Sequence, residues 1–303
     1  EKLMDRAQDL TMRSLIVPDM TLALDEVGLP RKGSMKIFRP FVVRELVRMG
    51  HTPLQARDEV EKGSSLANKA LDAVGAKRPV LFKRDPVLHK FGIMAFMPRL
   101  HDELTIHIHP LVTGGFNADF DGDAMSVFVP VSQEAVDEAK RMLPSENLFN
   151  PSTGQVMYQP SHESQLGLYL MTQMGKATKR SFASPKELLA AANKGEVGAT
   201  DIVTMAGKRT TAGRVAFNQA LPDKMRKDRY LTDPDHVVGK KNLQKVMKEL
   251  ALKHPGDFVL AIDRIKNLGF GHSYNTGFSF DLDDFNTLTH IRDAELKVAN
   301  LEA

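Results

Sequence analysis

Apolar residues along this chain alternate between two spacings. Leu15-Ile16-Val17 and Val80-Leu81-Phe82 are short unbroken apolar runs, and Thr105-Ile106-His107-Ile108-His109 alternates with period two, so all three predict strands. Met20–Leu24 and Met125–Val131 read the same way. Between them, residues 34–49 carry Ile37, Phe41, Val42, Leu46 and Val47 at helical spacing. Pro53 suits the start of the next helix, and 56–74 continue helically. Ser132 predicts an N-cap for a helix through Met142, with Glu134 and Glu138 toward its positive end. Helices follow over 162–174, 186–194, 237–253 and 286–301. The Gly-, Pro- and Asn-rich stretch 144–160 predicts a loop with one strand, and 196–235 is basic and without a clear period. The expectation is an α+β chain: strands around helices first, then a mostly helical half.

One segment between two predicted strands carries chemistry. Asn117-Ala118-Asp119-Phe120-Asp121-Gly122-Asp123 places three carboxylates within five positions around a glycine. Anions this close repel one another and stay ionised only beside a cation. On a flat strand, Asp119, Asp121 and Asp123 would share a face but sit roughly 6.5 Å apart. That is too far to share an ion whose oxygens lie at about 2.0–2.1 Å. The backbone must curl, and Gly122 can take the conformation a tight curl demands.

Carboxylates without sulfur or imidazole favour magnesium, manganese or calcium. An EF-hand fails. Counting Asp119 as position one, position six is Ala124 instead of Gly, and position twelve is Pro130 instead of Glu. A haloacid-dehalogenase-like pair needs an apolar strand before Asp119, and Thr113–Ala118 is not one. An acidic surface turn without an ion stays open on the cluster alone. Magnesium is usually completed by substrate phosphates, so the chemistry implied is phosphoryl or nucleotidyl transfer.

The flanks narrow this choice. The cluster, followed by Met125 and Val127-Phe128-Val129-Pro130, resembles the catalytic loop of the largest subunit of multisubunit DNA-dependent RNA polymerase, in its bacterial beta-prime form. Upstream, Arg13-Ser14-Leu15-Ile16-Val17, Gly28-Leu29-Pro30-Arg31-Lys32, Phe38-Arg39-Pro40-Phe41 and the segment Pro79–His89 are similar to family stretches in the same order. Downstream, Pro160-Ser161, Leu166-Gly167-Leu168-Tyr169, Gly213-Arg214 and Gly277-Phe278-Ser279 continue the series. The resemblance spans nearly the whole chain.

It implies a double-psi beta-barrel with a helical insertion at about 31–76 inside an active-centre region, 1–160, and a mostly helical pore and funnel region over 161–303. Asp119, Asp121 and Asp123 would hold the catalytic Mg2+, and a second would arrive with the nucleotide. Arg84 and Asn117 would contact the ribose of the incoming ribonucleoside triphosphate, a role an Arg fork and an amide suit. Arg13 would lie near the RNA–DNA hybrid. The expected partners are the second-largest, beta-like subunit, the remaining large-subunit segments (bridge helix and trigger loop), the DNA template and the RNA product. The setting would be the cytoplasm of a bacterial cell or of a phage-infected host. Lys83, Val87 and His162 stand where the family usually has Asn, Thr and Gln, which marks a divergent member. Two alternatives are a two-barrel polymerase of the RNA-silencing or single-chain phage type, and a non-catalytic relic. The Arg84 and Gly28-Leu29-Pro30 segments argue against the first, and the intact triad against the second.

Composition adds bounds. With 303 residues, 41 basic against 38 acidic and a net charge of +3, the chain is long enough for roughly two domains and too balanced for a DNA-coating protein. No cysteine excludes disulfides and thiolate zinc sites, so the zinc that the family carries near its N-terminus is not expected here. No apolar run of about 20 residues is present. Starting at Glu1, the chain reads as an internal piece of a longer protein. The basic runs Lys224–Arg229 and Lys240-Lys241 read as solvated faces before phosphate contacts. His107 and His109 read as strand positions before metal ligands, and His89 as support for the Arg84 loop.

Overall fold

The computed structural model describes residues 9–277, 279 and 281. The helix expected over 286–301, and Phe278, lie outside the described residues. Six strands close a barrel: β1 (Thr11–Pro18), β2 (Glu26–Pro30), β3 (Val80–Lys83), β4 (Ile93–His101), β5 (Ile106–Ile108) and β6 (Ala124–Phe128), in the order β1-β5-β2-β4-β3-β6. Two pairings are parallel, β1 with β5 (Ile16 opposite Ile106) and β2 with β4 (Val27 opposite Pro98). The other four are antiparallel. This is the double-psi arrangement expected from the motifs. Closure leaves no unpaired edge and gives the strands one shared interior. Ile16, Val27, Leu29, Phe82, Phe96, Ile108, Met125 and Val127 fill it, with Phe82 edge-on to Phe96 at 5.5 Å between centroids.

Between β2 and β3 the chain makes four helices, α1 (Arg31–Ile37), α2 (Arg39–Arg48), α3 (Pro53–Lys62) and α4 (Ser65–Gly75). Local chemistry starts them. The Thr52 hydroxyl accepts from Gln55 N while the Gln55 side chain accepts from Thr52 N, and Ser64 Oγ accepts from Ala67 N. Phe38, Val42, Leu46, Ala67 and Leu71 are buried on the faces that meet.

Two strand expectations need correction. Within 144–160 the one strand expected is only a single antiparallel bridge, Phe149 with Val156. Met20–Leu24 is a pair of turns, because Asp19 Oδ1 accepts from both Thr21 N and Thr21 Oγ1 at 2.8 Å and draws the backbone out of a ladder. Leu22 and Leu24, 2% and 0% exposed, are anchors of that turn in the core. The neighbouring strand is β2, and β4 also went unanticipated.

After β5 come α5 (Thr113–Phe116), the acidic loop and β6. Then α6 (Gln133–Lys140) starts at Ser132, whose Oγ accepts from Ala135 N. The remainder comprises α7 (His162–Met171), β7 (Ala177–Phe182), α8 (Pro185–Asn193), β8 (Ile202–Met205), β9 (Lys208–Thr210), α9 (Ala212–Ala220), α10 (Asp228–Thr232), α11 (Lys240–Lys253) and α12 (Phe258–Thr276). The stretch 196–235 is thus ordered into β8, β9, α9 and α10, with β8 parallel to β7 and antiparallel to β9. Helices α7 and α12 cross in backbone contact: a Cβ on Gly167 would meet Gly269 O at 1.9 Å. Ser164 Oγ donates to Lys266 O at 3.0 Å across the same crossing. The barrel core continues through Leu168, Phe217, Leu250, Ile262 and Ile265, while Leu188, Val203 and Val215 form a smaller cluster under the three-stranded sheet.

Candidate metal centre

The acidic loop hangs between two fixed points. Upstream, Val112 and Phe116 are buried, and α5 ends at Asn117 in the left-handed conformation (φ 50°, ψ 44°), with Ala118 N donating to Thr113 O. Downstream, Ile16 N on β1 donates to Asp123 O at 3.0 Å, which ties the last aspartate to the barrel wall. Gly122 supplies the curl with φ 125°, a region L side chains rarely enter. No atom lies within 4 Å of where its Cβ would stand, so backbone conformation and not space selects glycine.

The curl does what a strand would not. One carboxylate oxygen from each of Asp119, Asp121 and Asp123 lies within 4.8 Å of the others. Small rotations of these side chains bring the three oxygens onto one hard cation, and an all-oxygen donor set suits magnesium. Among the described residues this is the one His/Cys/Asp/Glu group with such convergence.

Electrostatics sets the three apart. Arg84, just past β3, donates from Nε to Asp123 Oδ2 at 2.8 Å and from Nη2 to Oδ1 at 3.3 Å. That fork holds Asp123 below the usual carboxylate range, helped by the Asp119 N–H on Oδ2 at 3.3 Å. Asp119 moves the opposite way. The Asp121 carboxyl shares a hydrogen bond with it and repels its charge, which lifts it above that range. The loop therefore carries uncompensated negative charge where Asp119 and Asp121 are exposed to solvent.

Of the residues singled out from sequence, Arg84 joins the triad directly and Asn117 sits exposed at its upstream end. Arg13 is on β1 opposite Ser126, and Lys83 faces the same Ser126 from β3, so the two cations flank one rung of the barrel. His89 Nδ1 accepts from Phe91 N and braces the turn after Arg84. His107 bonds Asp19 and Glu103. His109 lies past the end of β5, fully buried: its Nδ1 accepts from Leu111 N, and its Nε2 sits 2.9 Å from both Asp263 Oδ1 and Lys266 Nζ. Sequence reasoning missed the cavity of about 510 Å³ beside Asp119, walled by Pro18, Leu111, Phe120, His162 and Tyr274. Its one signal was His162, a departure from the family pattern that here adopts φ 50° at the start of α7.

Residues 50–144 match the family model "RNA polymerase Rpb1, domain 2", and residues 147–285 match "RNA polymerase Rpb1, domain 3". The chain is 35% identical to the DNA-directed RNA polymerase subunit beta' of Tropheryma whipplei, over 94% of this chain and 23% of that protein. Against the same subunit of Flavobacterium psychrophilum the identity is 35%, over 94% of this chain and 21% of the relative. Against that of Bacteroides fragilis it is 34%, over 94% and 21%. The chain thus spans about a quarter or less of the length of these relatives. With the two domain models matched in order, and four of the six barrel strands and the aspartate loop inside the first match, the chain belongs to the RNA polymerase largest-subunit family, as a beta'-type segment.

Proposed function

We propose that this chain supplies the metal-holding half of the active centre of a DNA-directed RNA polymerase, a nucleotidyltransferase that adds ribonucleotides to an RNA 3′ end and releases pyrophosphate. The observation that carries this reading is the convergence of three carboxylate oxygens at the mouth of the barrel, one of them locked by Arg84. Asp119, Asp121 and Asp123 would hold Mg2+. Bound there, the ion lowers the pKa of the primer 3′-hydroxyl and offsets charge developing on the phosphates, so no side-chain base is required.

The chain's own residues orient the reactants. Arg84 spends Nε and Nη2 on Asp123, which leaves Nη1 to donate toward the ribose of the incoming nucleotide. The Asn117 amide, exposed beside the triad, adds a second contact to the sugar. Arg13, on β1, offers a cation to the hybrid's phosphates, while Lys83 on the same rung is paired with Asp85 at 2.8 Å. Asp119 and Asp121 face the solvent from which the triphosphate arrives with its own magnesium.

In this reading residues 1–160 are the active-centre region and 161–303 the pore and funnel. The facing half of the site comes from the second-largest subunit, with DNA template and RNA product between them. No helix among the described residues is long and apolar enough to cross a membrane. Purification of this chain from its native cells tests the assignment. A beta-like subunit and template-dependent ribonucleotide incorporation should co-purify with it. A preparation that lacks both would overturn the proposal.

A further inference from the structure

Two basic clusters in the second half of the chain have opposite fates. Within the run Lys224–Arg229, Arg226, Lys227 and Arg229 are engaged internally. Arg226 donates to Leu221 O and Gln219 O and pairs with Asp223, while Lys227 bonds Glu249 at 2.6 Å and Arg229 reaches Glu249 and Tyr230. Lys241, Lys245 and Lys248 are different. They stand exposed on one face of α11 at i, i+4 and i+7, and none has a carboxylate within ion-pair distance among the described residues. The nearest acidic residue in sequence, Glu249, is already bonded to Lys227 and Lys253. Like charges at this spacing weaken a helix, so the arrangement costs stability unless an anion offsets it.

The three lysines form one wall of a concavity of about 420 Å³. The opposite wall is the hairpin at Asn150–Val156, with Gln159 behind it. This hairpin is braced from within. Asn150 N donates to Gln155 O and Gly154 N to Asn150 O, and Asn150 Oδ1 accepts from Ser152 N and Thr153 N. The N–H groups from Asn150 to Gln155 are therefore spent, and the amides of Gln155 and Gln159 line the space opposite α11, with Gln244 among the lysines. Among the described residues no Asp, Glu or aromatic side chain lines the space. Without an aromatic platform the site cannot stack bases; it is built for phosphates alone.

We propose that the concavity between α11 and the Asn150–Val156 hairpin binds a short chain of phosphate groups. Its volume falls within the range of small-ligand sites, about 300–1,000 Å³, and accommodates a triphosphate. The phosphates come from the tail of a free nucleoside triphosphate or from consecutive phosphodiesters of a single strand. The site is separate from the aspartate triad and does not depend on the catalytic reading.

Hydrogen exchange on the native complex tests it, in magnesium-free buffer so that the triad does not recruit the probe. Tripolyphosphate, ATP and an oligothymidylate are added in separate arms, and exchange is followed in residues 150–159 and 240–253. Tripolyphosphate should slow exchange in both segments. The triple variant Lys241→Gln, Lys245→Gln, Lys248→Gln should lose that protection, and the corresponding triple Lys→Arg variant should retain it. The substituted side chains are exposed, so both variants fold. Stronger protection by ATP identifies the nucleotide as the source, and stronger protection by the oligonucleotide identifies the backbone. In the oligonucleotide arm, loss of three contacts flattens the log–log salt dependence of affinity by about 2, at about 0.7 per phosphate. No protection of α11 by any probe, or equal protection in the glutamine variant, overturns the proposal.

Discussion

Arg84 and Asp123 meet as a fork on a carboxylate, Nε to Oδ2 at 2.8 Å and Nη2 to Oδ1 at 3.3 Å, with side chains only 19% and 22% exposed. The arginine that family resemblance assigns to the sugar is therefore also a scaffold for the metal triad. Arg84→Ala removes both functions. It should weaken discrimination between ribo- and deoxynucleotides and raise the Mg2+ concentration needed for half-maximal activity about tenfold, the scale of one hydrogen bond to a charged group. Arg84→Lys keeps the charge and loses the fork, so it should recover only part of the Mg2+ response. Mg2+ titration of single-nucleotide addition checks this, and an unchanged Mg2+ requirement in Arg84→Ala would remove the scaffold role.

Gly122→Ala isolates the backbone. The new methyl meets nothing, yet φ 125° disfavours any L side chain, at a cost of about 1–3 kcal/mol. Metal affinity and activity should fall together while thermal stability of the rest of the chain is nearly kept. Calorimetric Mg2+ binding beside a melting curve separates these, and full metal affinity in the variant would show that the curl does not depend on glycine.

The crossing of α7 and α12 makes a packing prediction. Gly167→Ala would place a Cβ 1.9 Å from Gly269 O, a backbone atom that cannot step aside without moving α12. Overpacking of this kind costs about 1–3 kcal/mol or more. Gly114→Ala, with open space around it and a φ outside the left-handed region, should be far milder. Urea midpoints of the two variants should differ clearly, and equal midpoints would contradict the close crossing.

Glu249 gives a pH dependence with a definite sign. Lys227, and then Lys253, hold its carboxyl below the ordinary value of 4.5. A depressed carboxylate contributes stability that is present above its unfolded pKa and fades as pH falls through the lower folded value. The gap in melting temperature between the wild type and Glu249→Gln should therefore be widest at neutral pH and close as the pH falls below 4.5 and through the lower folded value. A gap that stays constant down to strong acid would contradict the assigned ion pairs.

The sequence revealed most where chemistry or capping is local. The acidic loop, the capped helices of the insertion and α6 were all legible, because their signals lie within a few residues. What failed were features fixed across long separations. Leu22 and Leu24 look like strand residues but anchor a turn that Asp19 imposes. No helix was expected over α12, where Gly269 permits the close approach to α7. Arg214 entered the sequence reading only through the Gly213-Arg214 motif, with no place in the fold. Yet it is fully buried in α9, with Nε on Thr172 O, Nη2 on Pro234 O and Nη1 on Asp233 O. At the site, Arg84 was legible by its motif; its grip on Asp123, 39 residues away, required the barrel to bring β3 beside β6.

The central claim is that the aspartate triad holds the ion that drives nucleotide addition. Asp121 is the direct place to test it, because it lies exposed in the loop and serves no core contact. Single-nucleotide extension of a primed template should be measured with the assembled complex carrying Asp121→Asn, beside a check that all subunits still co-purify. Abolished extension with intact assembly is the predicted result. Extension at the wild-type rate would contradict the account.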